Sequence, residues 1–312
     1  MPIKLFVAMS LTLILLFALL FGILAAISYY FEFPIGFSVG LAILLVFIQW
    51  LIGPKIIWLT TNMRLISKKE FPWIWEFVKS TCKKEKIPVP KIAIARTGAP
   101  NAFVFGRTPS TSTLVLTMGL LKNLTRKEIE AVIGHELGHI KHKDCIVMTL
   151  VSAIPIIAYF LARSLVFGRV REERKGSVAI LVGLGAFLVY FISNLLVLAL
   201  SRLREYYADR FGAKTTKPSL LANALAKITY GLSINSELRN SEIRAFFIAD
   251  PVNAVKEVKE LGKEYSDFTL SKKEIESAME WERKNPLMKF MEIFSSHPLT
   301  YKRILALKEM EK

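Results

Sequence analysis

Four uncharged and strongly apolar runs dominate the pattern of hydrophobic and polar positions along the chain. They cover residues 5–30, 35–53, 146–162 and 178–200. A bilayer core about 30 Å thick needs roughly 20 apolar residues in helical conformation. Three of the runs have this length, and the third run, which contains Pro155, is at the short limit. The pattern predicts about four membrane-spanning helices, with a buried hairpin as the alternative for the last two runs.

The polar segments between and after these runs show shorter patterns of secondary structure. The predicted helices cover 56–85, 201–213 and 220–232, and the predicted strands cover 91–95 and 113–117. A further helix, which runs through Ile140, begins at Thr125, because Thr125 and Glu128 form a capping-box pattern. The stretch between the two strands is rich in turn residues. These segments predict a small domain of helices and short strands.

The composition combines apolar runs with strongly basic polar segments. Hydrophobic residues make up 53% of the 312 positions, and 42 Lys and Arg stand against 26 Asp and Glu, which gives a net charge of +16. This combination suits a membrane protein that faces anionic lipid better than a protein that binds nucleic acid. The sequence contains no nucleic-acid recognition motif, so we expect no nucleic-acid partner.

The distribution of Lys and Arg predicts the orientation in the membrane. The connector around 30–34 contains neither residue, whereas 54–145 and 201–312 are basic. The positive-inside rule therefore places both of these segments in the cytoplasm. The connector 163–177 is also basic and disagrees with this assignment, unless the last two runs only dip into the membrane.

Three of the four histidines fall within eight residues, in the segment His135-Glu136-Leu137-Gly138-His139-Ile140-Lys141-His142. On a helix, residues four apart share one face, so His135 and His139 present two imidazoles to one point. Two such histidines with an adjacent glutamate form the arrangement of zinc hydrolases, in which the glutamate is a base and not a ligand. The alternative is a histidine pair that is merely packed on a helix. We interpret His142 as a bystander, because a ligand so close to the others would be strained.

A catalytic zinc needs a third protein ligand and an open position for water. Glu205 and Asp209 lie one turn apart on the predicted helix that follows the fourth run. Glu205 can bind the metal, while Asp209 accepts the free N–H of a ligand imidazole. Spacing alone does not separate these two roles, and an ordinary charged helix is the alternative.

Together these motifs resemble the HtpX family of membrane zinc metalloproteases, which is related to the CAAX prenyl endopeptidases. The matching stretches are 101–107, 131–136 with Asp144, 201–209 and 296–304, and the similarity covers nearly the whole chain except 233–290. The resemblance implies one Zn²⁺ per chain, with His135, His139 and Glu205 as ligands. It also implies that Glu136 is the catalytic base and that the active site lies on the cytoplasmic side.

Three further residues are candidates for contact with the substrate or the developing oxyanion. Peptide hydrolysis needs a second electrophile beside the metal, and His297 or Arg303 provides it if the C-terminal segment folds over the site. Otherwise these two residues hold that segment in place. The stretch from Asn101 to Gly106 is a candidate edge strand for pairing with an extended substrate, and a structural turn is the alternative.

We therefore expect a mainly α protein, in which polytopic membrane helices carry a cytoplasmic zincin-like α+β catalytic domain with a small sheet. Its expected parts are 1–55 with two transmembrane helices, 56–145 with the HExxH helix, 146–200 with the third and fourth membrane helices, and 201–312 with the third zinc ligand.

The expected function is that of a zinc metalloendopeptidase in the cell membrane, which degrades misfolded or unassembled membrane proteins. Its expected partners are polypeptide substrates and the lipid bilayer. One alternative is a processing protease for lipidated, CAAX-type C-termini, which four spans disfavour because a prenyl group calls for a larger membrane chamber. A non-enzymatic zinc-bound scaffold is another alternative, and such a protein would have no use for Glu136.

Overall fold

The computed structural model describes residues 3–30, 35–167, 173–232 and 272–311 of the chain. Its helices are α1 (Ile3–Tyr30), α2 (Ile35–Thr60), α3 (Pro72–Glu85), α4 (Met118–Asn123), α5 (Arg126–Lys141), α6 (Asp144–Phe167), α7 (Glu173–Thr215), α8 (Pro218–Leu232), α9 (Lys272–Lys284), α10 (Pro286–Met291) and α11 (Thr300–Glu309). Its strands are β1 (Met63–Leu65), β2 (Lys91–Ala95), β3 (Ala102–Phe105) and β4 (Thr113–Thr117). The described part is thus mainly helical and carries one small sheet.

The chain forms two compact units, each assembled from two separate segments. The first unit combines Met1–Gly53 with Ile146–Leu203. The second combines Pro54–Cys145 with Arg204–Lys312. We call them the helical unit and the catalytic unit, because the second contains the HExxH segment.

The helical unit contains the apolar runs that the sequence pattern indicates as membrane spans. In the described part of the chain, three helices are long and apolar enough to cross a membrane, with windows Leu5–Gly22, Ile43–Thr60 and Gly183–Thr215. Helix α6 carries a shorter apolar stretch, Asp144–Tyr159, which includes Pro155. These lengths and compositions are those of a membrane protein.

Two of the sequence-based interpretations concern connectors that the structure covers only in part. Residues 31–34, between the first two runs, lie outside the described residues. The same holds for residues 168–172 of the basic connector 163–177. The fourth run and the predicted helix 201–213 are both parts of α7, and no proline interrupts this helix.

The sheet of the catalytic unit has the order β1-β2-β4-β3. Strands β2 and β4, which match the predicted strands 91–95 and 113–117, are parallel, with Ile94 opposite Leu116. Strand β3 lies within the turn-rich stretch and pairs antiparallel with β4, with Val104 opposite Leu114. Of the two alternatives for Asn101 to Gly106, the structure has the strand, and this strand forms one edge of the described sheet.

Both faces of the sheet are covered, which explains why its inner strands are apolar at successive positions and do not alternate. One face contributes residues to the main core, which also contains buried residues of α3, α5, α8 and α11. The other face forms a separate cluster with Ile57 at the end of α2 and with Met63 of β1.

The prediction of one helix over 56–85 is wrong in its first half. The chain leaves α2 after Thr60, forms strand β1, and enters α3 only at Pro72. A residue that precedes proline is disfavoured in helical conformation, and Phe71 accordingly has φ −135° and ψ 73°. Proline is favourable at the first position of a helix, which places the start of α3 here.

Helix α5, which carries the HExxH segment, begins with the predicted capping box. The side chain of Thr125 accepts a hydrogen bond from the backbone of Glu128, and the Glu128 carboxylate accepts one from the backbone of Thr125 at 2.8 Å. Lys227 of α8 donates a hydrogen bond to the same carboxylate at 2.9 Å. The start of α5 is thus held both by its own residues and by α8.

Candidate metal centre

The side chains of His135, His139 and Glu205 converge in the catalytic unit. Their ligand atoms all lie within 4.8 Å of one another. The two Nε2 atoms are 3.2 Å apart, and the Glu205 carboxylate oxygens lie 3.5 Å from Nε2 of His139 and 3.6 Å from Nε2 of His135. Ligands at about 2.0–2.1 Å from a tetrahedral zinc are separated by about 3.3 Å. The spacing of these three groups therefore fits a tetrahedral metal ion.

Helices α5 and α7 approach each other closely at glycine residues, and this contact brings the three groups together. A Cβ atom on Gly138 would lie 3.0 Å from the Cα atom of Ala208, and one on Gly212 would lie 2.8 Å from the backbone nitrogen of His135. A residue with a side chain would push the helices apart at these points. The absence of Cβ atoms thus lets Glu205 on α7 reach the histidines of α5.

Each imidazole is oriented by a carboxylate on the side away from the convergence point. Nδ1 of His135 lies 2.9 Å from Oδ1 of Asp209, and Nδ1 of His139 lies 2.6 Å from Oδ2 of Asp144. If both imidazoles are neutral and carry their proton on Nδ1, each Nε2 presents a lone pair toward the convergence point. Two such lone pairs and the Glu205 carboxylate repel one another unless a cation lies between them. The chemistry of the donor set therefore suits a metal ion.

An arginine in turn holds each of the two orienting carboxylates. Arg303 donates two hydrogen bonds to Asp209, and its Nη1 lies 3.2 Å from the Glu205 carboxylate. Arg204 forms an ion pair with Asp144 and donates a hydrogen bond to the backbone carbonyl of His142 at 2.7 Å. Two chains of the form imidazole, carboxylate, arginine thus surround the convergence point.

Reasoning from the sequence missed Asp144 and Arg204 in these roles. Asp144 is the first residue of α6, just after the end of α5, five residues beyond His139. An acidic residue directly after the end of an HExxH helix is the signal that could have identified it. Arg204 precedes Glu205 in the sequence and offers no such signal.

Negative charge dominates the surroundings of the two histidines. Burial alone would lower the pKa of His139, but the hydrogen bond and charge of Asp144, with Glu205 and Glu136, raise it to about 9. The carboxylates that hold a proton on this imidazole would equally stabilise a metal cation at Nε2 in place of that proton.

Glu136 is buried, with 2% of its surface exposed, and stands next to His135 on α5. In the described part of the chain it does not belong to the group of converging ligand atoms. Burial raises the pKa of its carboxyl above the usual range, against the opposing charges of His135 and His139. Its position next to His135, outside the converging group, is the one that the sequence predicts for a base.

The C-terminal segment folds onto the site, as its two candidate residues require. Nε2 of His297 lies 3.7 Å from the Glu205 carboxylate, and its Nδ1 lies 2.9 Å from Oγ of Ser296. Arg303 is 2% exposed and is engaged with Asp209 and Glu205. This arrangement favours a role for Arg303 in holding the carboxylates. The His297 side chain is 20% exposed and is thus more accessible than Arg303.

The two remaining sequence-predicted residues lie at the edges of the site. Asn101 is buried directly before β3, and its backbone exchanges hydrogen bonds with Thr117 of β4. His142 follows the last turn of α5 and packs its ring against Tyr207 and Phe211. In the described residues, His142 lies outside the group of converging ligand atoms.

Known proteins are similar to this chain in sequence and in fold. Residues 68–311 match peptidase family M48. The Protease HtpX homolog of Methanothermobacter thermautotrophicus is 44% identical over 189 residues, which cover 60% of this chain and 71% of that protein. Protease HtpX homolog 2 of Methanosarcina acetivorans is 36% identical over 273 residues, which cover 85% and 81%.

The crystal structure of S. mikatae Ste24p has a similar fold. The TM-score is 0.54 at 19% identity, and the aligned region covers 98% of this chain and 67% of that chain. At this level of identity the likeness concerns the fold alone.

Proposed function

The chain belongs to peptidase family M48, and we propose that it is a zinc metalloendopeptidase that hydrolyses peptide bonds in membrane proteins. Its family and its apolar helices make it a membrane metalloprotease. The observation that carries the proposal is the convergence of His135, His139 and Glu205 beside the buried Glu136.

The proposed ligands are His135, His139 and Glu205, which would hold one Zn²⁺. When bound, zinc supplies a Lewis acid for the scissile carbonyl and lowers the pKa of a water molecule. A site with three protein ligands keeps a position open, whereas structural zinc sites have four. The converging group has three members in the described residues, which supports an enzyme over a zinc-bound scaffold.

Glu136 is the proposed general base and acid. Its carboxylate accepts a proton from the attacking water and then donates that proton to the leaving amine nitrogen. Proton transfer by a positioned side chain contributes about 10²–10⁴-fold to the rate. A ligand role for this residue is not required, because Glu205 completes the set.

His297 is the proposed donor to the developing oxyanion. If the hydroxyl of Ser296 donates to Nδ1 of His297, the proton of the imidazole resides on Nε2, which faces the Glu205 side of the site. Burial lowers the pKa of His297, and a neutral imidazole with an Nε2 proton is still a hydrogen-bond donor. Arg303, which is engaged by two carboxylates, positions them.

An extended polypeptide is the proposed substrate form, and it would add to the free edge of β3. Thr117 donates its backbone N–H to the carbonyl of Asn101, which makes these two residues a hydrogen-bonded pair. In an antiparallel ladder such pairs alternate with pairs whose backbone groups point outward. The backbone groups of Ala102 and Val104 therefore point to the free edge, where a peptide can pair with them.

We further propose that the protein lies in the cell membrane with its catalytic unit in the cytoplasm, where it removes misfolded or unassembled membrane proteins. The Lys and Arg content of 54–145 and 201–312 supports this side. Cysteine reporters at the exposed positions Lys84 and Glu280 should both react with an impermeant reagent from the cytoplasmic side. Labelling of the two reporters from opposite sides would contradict the assignment.

Processing of lipidated, CAAX-type C-termini is the alternative activity. The similarity to Ste24p in fold is compatible with it. A lipidated and a non-lipidated peptide of the same sequence distinguish the two functions, because a processing protease would cleave only the lipidated one.

The function is tested by incubating the purified protein with Zn²⁺ and a model membrane protein. The wild type should cleave it, a chelator should stop cleavage and added Zn²⁺ should restore it. Glu136→Gln should retain the metal and lose activity. Glu130→Gln is the matched control, since Glu130 lies on the same helix and pairs with Arg126. Cleavage by Glu136→Gln at the wild-type rate would exclude the proposed base.

A further inference from the structure

Helix α11 begins in the interior of the catalytic unit and carries Arg303 in its first turn. Leu299, the residue at its N-cap, provides no side-chain hydrogen bond to the free backbone N–H groups. Such groups at a buried helix start require partners. A cationic side chain close to the positive end of a helix is also unfavourable without compensating negative charge. The position of Arg303 therefore depends on groups outside α11.

Glu282 of α9 satisfies the start of α11 from a different helix. Its Oε1 accepts a hydrogen bond from the backbone of Thr300 at 3.0 Å, and its Oε2 accepts one from the backbone of Tyr301 at 2.8 Å. Tyr230 of α8 donates its hydroxyl to Oε2 at 2.7 Å. The carboxylate, which is 4% exposed, thus connects three helices.

A second carboxylate binds the backbone N–H of the residue before the helix. Glu292 accepts a hydrogen bond from the backbone of Leu299 at 3.1 Å and pairs with Lys302. Three consecutive N–H groups at the start of α11 are therefore bound by carboxylates. Glu282 differs from Glu292 in that both of its oxygens bind backbone N–H groups of the helix itself.

We propose that Glu282 is a positioning residue of the metal centre, which acts by fixing the start of α11 and thereby the guanidinium of Arg303. This inference rests on the proposed zinc site. Arg303 holds Asp209, and Asp209 orients the imidazole of His135. A shift of the first turn of α11 moves this entire chain of contacts, although Glu282 itself touches none of the ligands.

The carboxylate of Glu282 has a positional effect beside its effect on stability. An apolar side chain of similar size would avoid the cost of burying a carboxylate, but it would leave the N–H groups of Thr300 and Tyr301 without this partner. Burial does raise the pKa of Glu282, against the hydrogen bonds of Tyr230, Tyr301 and Thr300. The carboxylate also gives a defined position to two N–H groups that lie two and three residues before Arg303.

The test compares Glu282→Gln with two control variants of the full-length protein. A glutamine offers one oxygen where the carboxylate offers two, so its amide group would face a backbone donor. Glu280→Gln is the charge-matched control on the same helix, since Glu280 is exposed and forms an ion pair with Lys284. Met279→Ala is the packing control, because Met279 belongs to the main core.

Zinc affinity, measured against a competing chelator, is the first readout, and the absorption spectrum of the Co²⁺-substituted protein is the second. We expect Glu282→Gln to weaken zinc binding roughly tenfold, the lower end of the range found for groups that orient ligands, and to change the Co²⁺ spectrum. Glu280→Gln should match the wild type in both. Met279→Ala should lower the melting temperature without changing the affinity of the folded protein.

Glu282→Asp keeps the charge but is one methylene group shorter, so its affinity should lie between those of the wild type and Glu282→Gln. This variant decides the question if Glu282→Gln does not fold. Wild-type zinc affinity in folded Glu282→Gln or Glu282→Asp would overturn the proposal. So would an equal loss of affinity in Met279→Ala. A wild type that binds zinc but cleaves no polypeptide would refute the proposed function and leave this comparison valid.

Discussion

Arg303 and Asp209 form a bidentate ion pair in the interior of the catalytic unit, with Nε donating to Oδ2 at 2.8 Å and Nη2 donating to Oδ1 at 2.7 Å. The same Oδ1 lies 2.9 Å from Nδ1 of His135. A planar guanidinium fixes both the position and the plane of the carboxylate that it binds. The orientation of His135 is therefore determined by a residue near the C-terminal end of the chain.

Arg303→Lys should weaken zinc binding although it retains the positive charge. A lysine ammonium is a point charge and cannot form the two parallel bonds to Asp209. Loss of a group that orients ligands typically costs about 10–100-fold in affinity or activity. Competition with a chelator measures the affinity, and the exposed Arg126→Lys serves as the control. Equal zinc affinities of the two variants would show that the two parallel bonds of the guanidinium to Asp209 are unimportant.

Glu205→Ala should abolish zinc binding more completely than Asp209→Ala. In the proposed site Glu205 provides a ligand oxygen and a negative charge at the convergence point, whereas Asp209 only orients an imidazole. We expect Asp209→Ala to retain zinc with an affinity about 10–100-fold lower. Metal titrations of both variants decide this. Retention of zinc by Glu205→Ala together with its loss in Asp209→Ala would reverse the two assignments.

Asp144→Asn should lower both zinc affinity and kcat/KM by about 10–100-fold. An asparagine preserves the size of the side chain, but it removes the charge that holds the Nδ1 proton of His139. Arg204 also loses its ionic partner. The prediction is checked by metal titration and by peptide cleavage at saturating zinc. An unchanged affinity would mean that His139 keeps its orientation without this carboxylate.

Val104→Pro should impair substrate binding and leave the metal centre intact. By the register of β3 with β4 the N–H of Val104 faces away from β4, so proline should remove a donor for the substrate without removing a bond to β4. One net hydrogen bond contributes about 0.5–1.5 kcal/mol, which corresponds to roughly a two- to tenfold loss in kcat/KM. Val104→Ala, which keeps the N–H, is the control.

Cleavage of an extended peptide gives kcat/KM, and a melting curve and a zinc titration verify the structure of the variant. Equal kcat/KM values for Val104→Pro and Val104→Ala, with both proteins folded, would argue against substrate pairing at this edge.

The sequence alone determined the features that depend on residues close together in the chain. His135 and His139 share a helix face because they are one turn apart. The capping box begins that helix with hydrogen bonds between Thr125 and Glu128, which are only three residues apart. Likewise, apolar runs of about 20 residues indicate membrane helices without knowledge of their partners. Glu205 was a candidate from its spacing to Asp209 and from family resemblance.

Only the tertiary structure decided which distant residues meet. The close approach of α5 and α7 depends on glycines that no periodic pattern distinguishes, such as Gly138 and Gly212. Pro72 marks the start of α3 in the sequence itself, but the extended conformation of β1 within the predicted helix 56–85 is stabilised by pairing with β2. Short segments have similar local preferences for helix and strand, and such long-range contacts decide between them.

The role of Arg303 also depends on contacts that the sequence alone does not reveal. The sequence left open whether Arg303 acts on the oxyanion or holds its segment in place, because a guanidinium has the same charge in both roles. Its two bonds to Asp209, and its burial between helices that are far apart in the chain, favour the second. Buried charges must be paired, and only the folded chain determines with which partners.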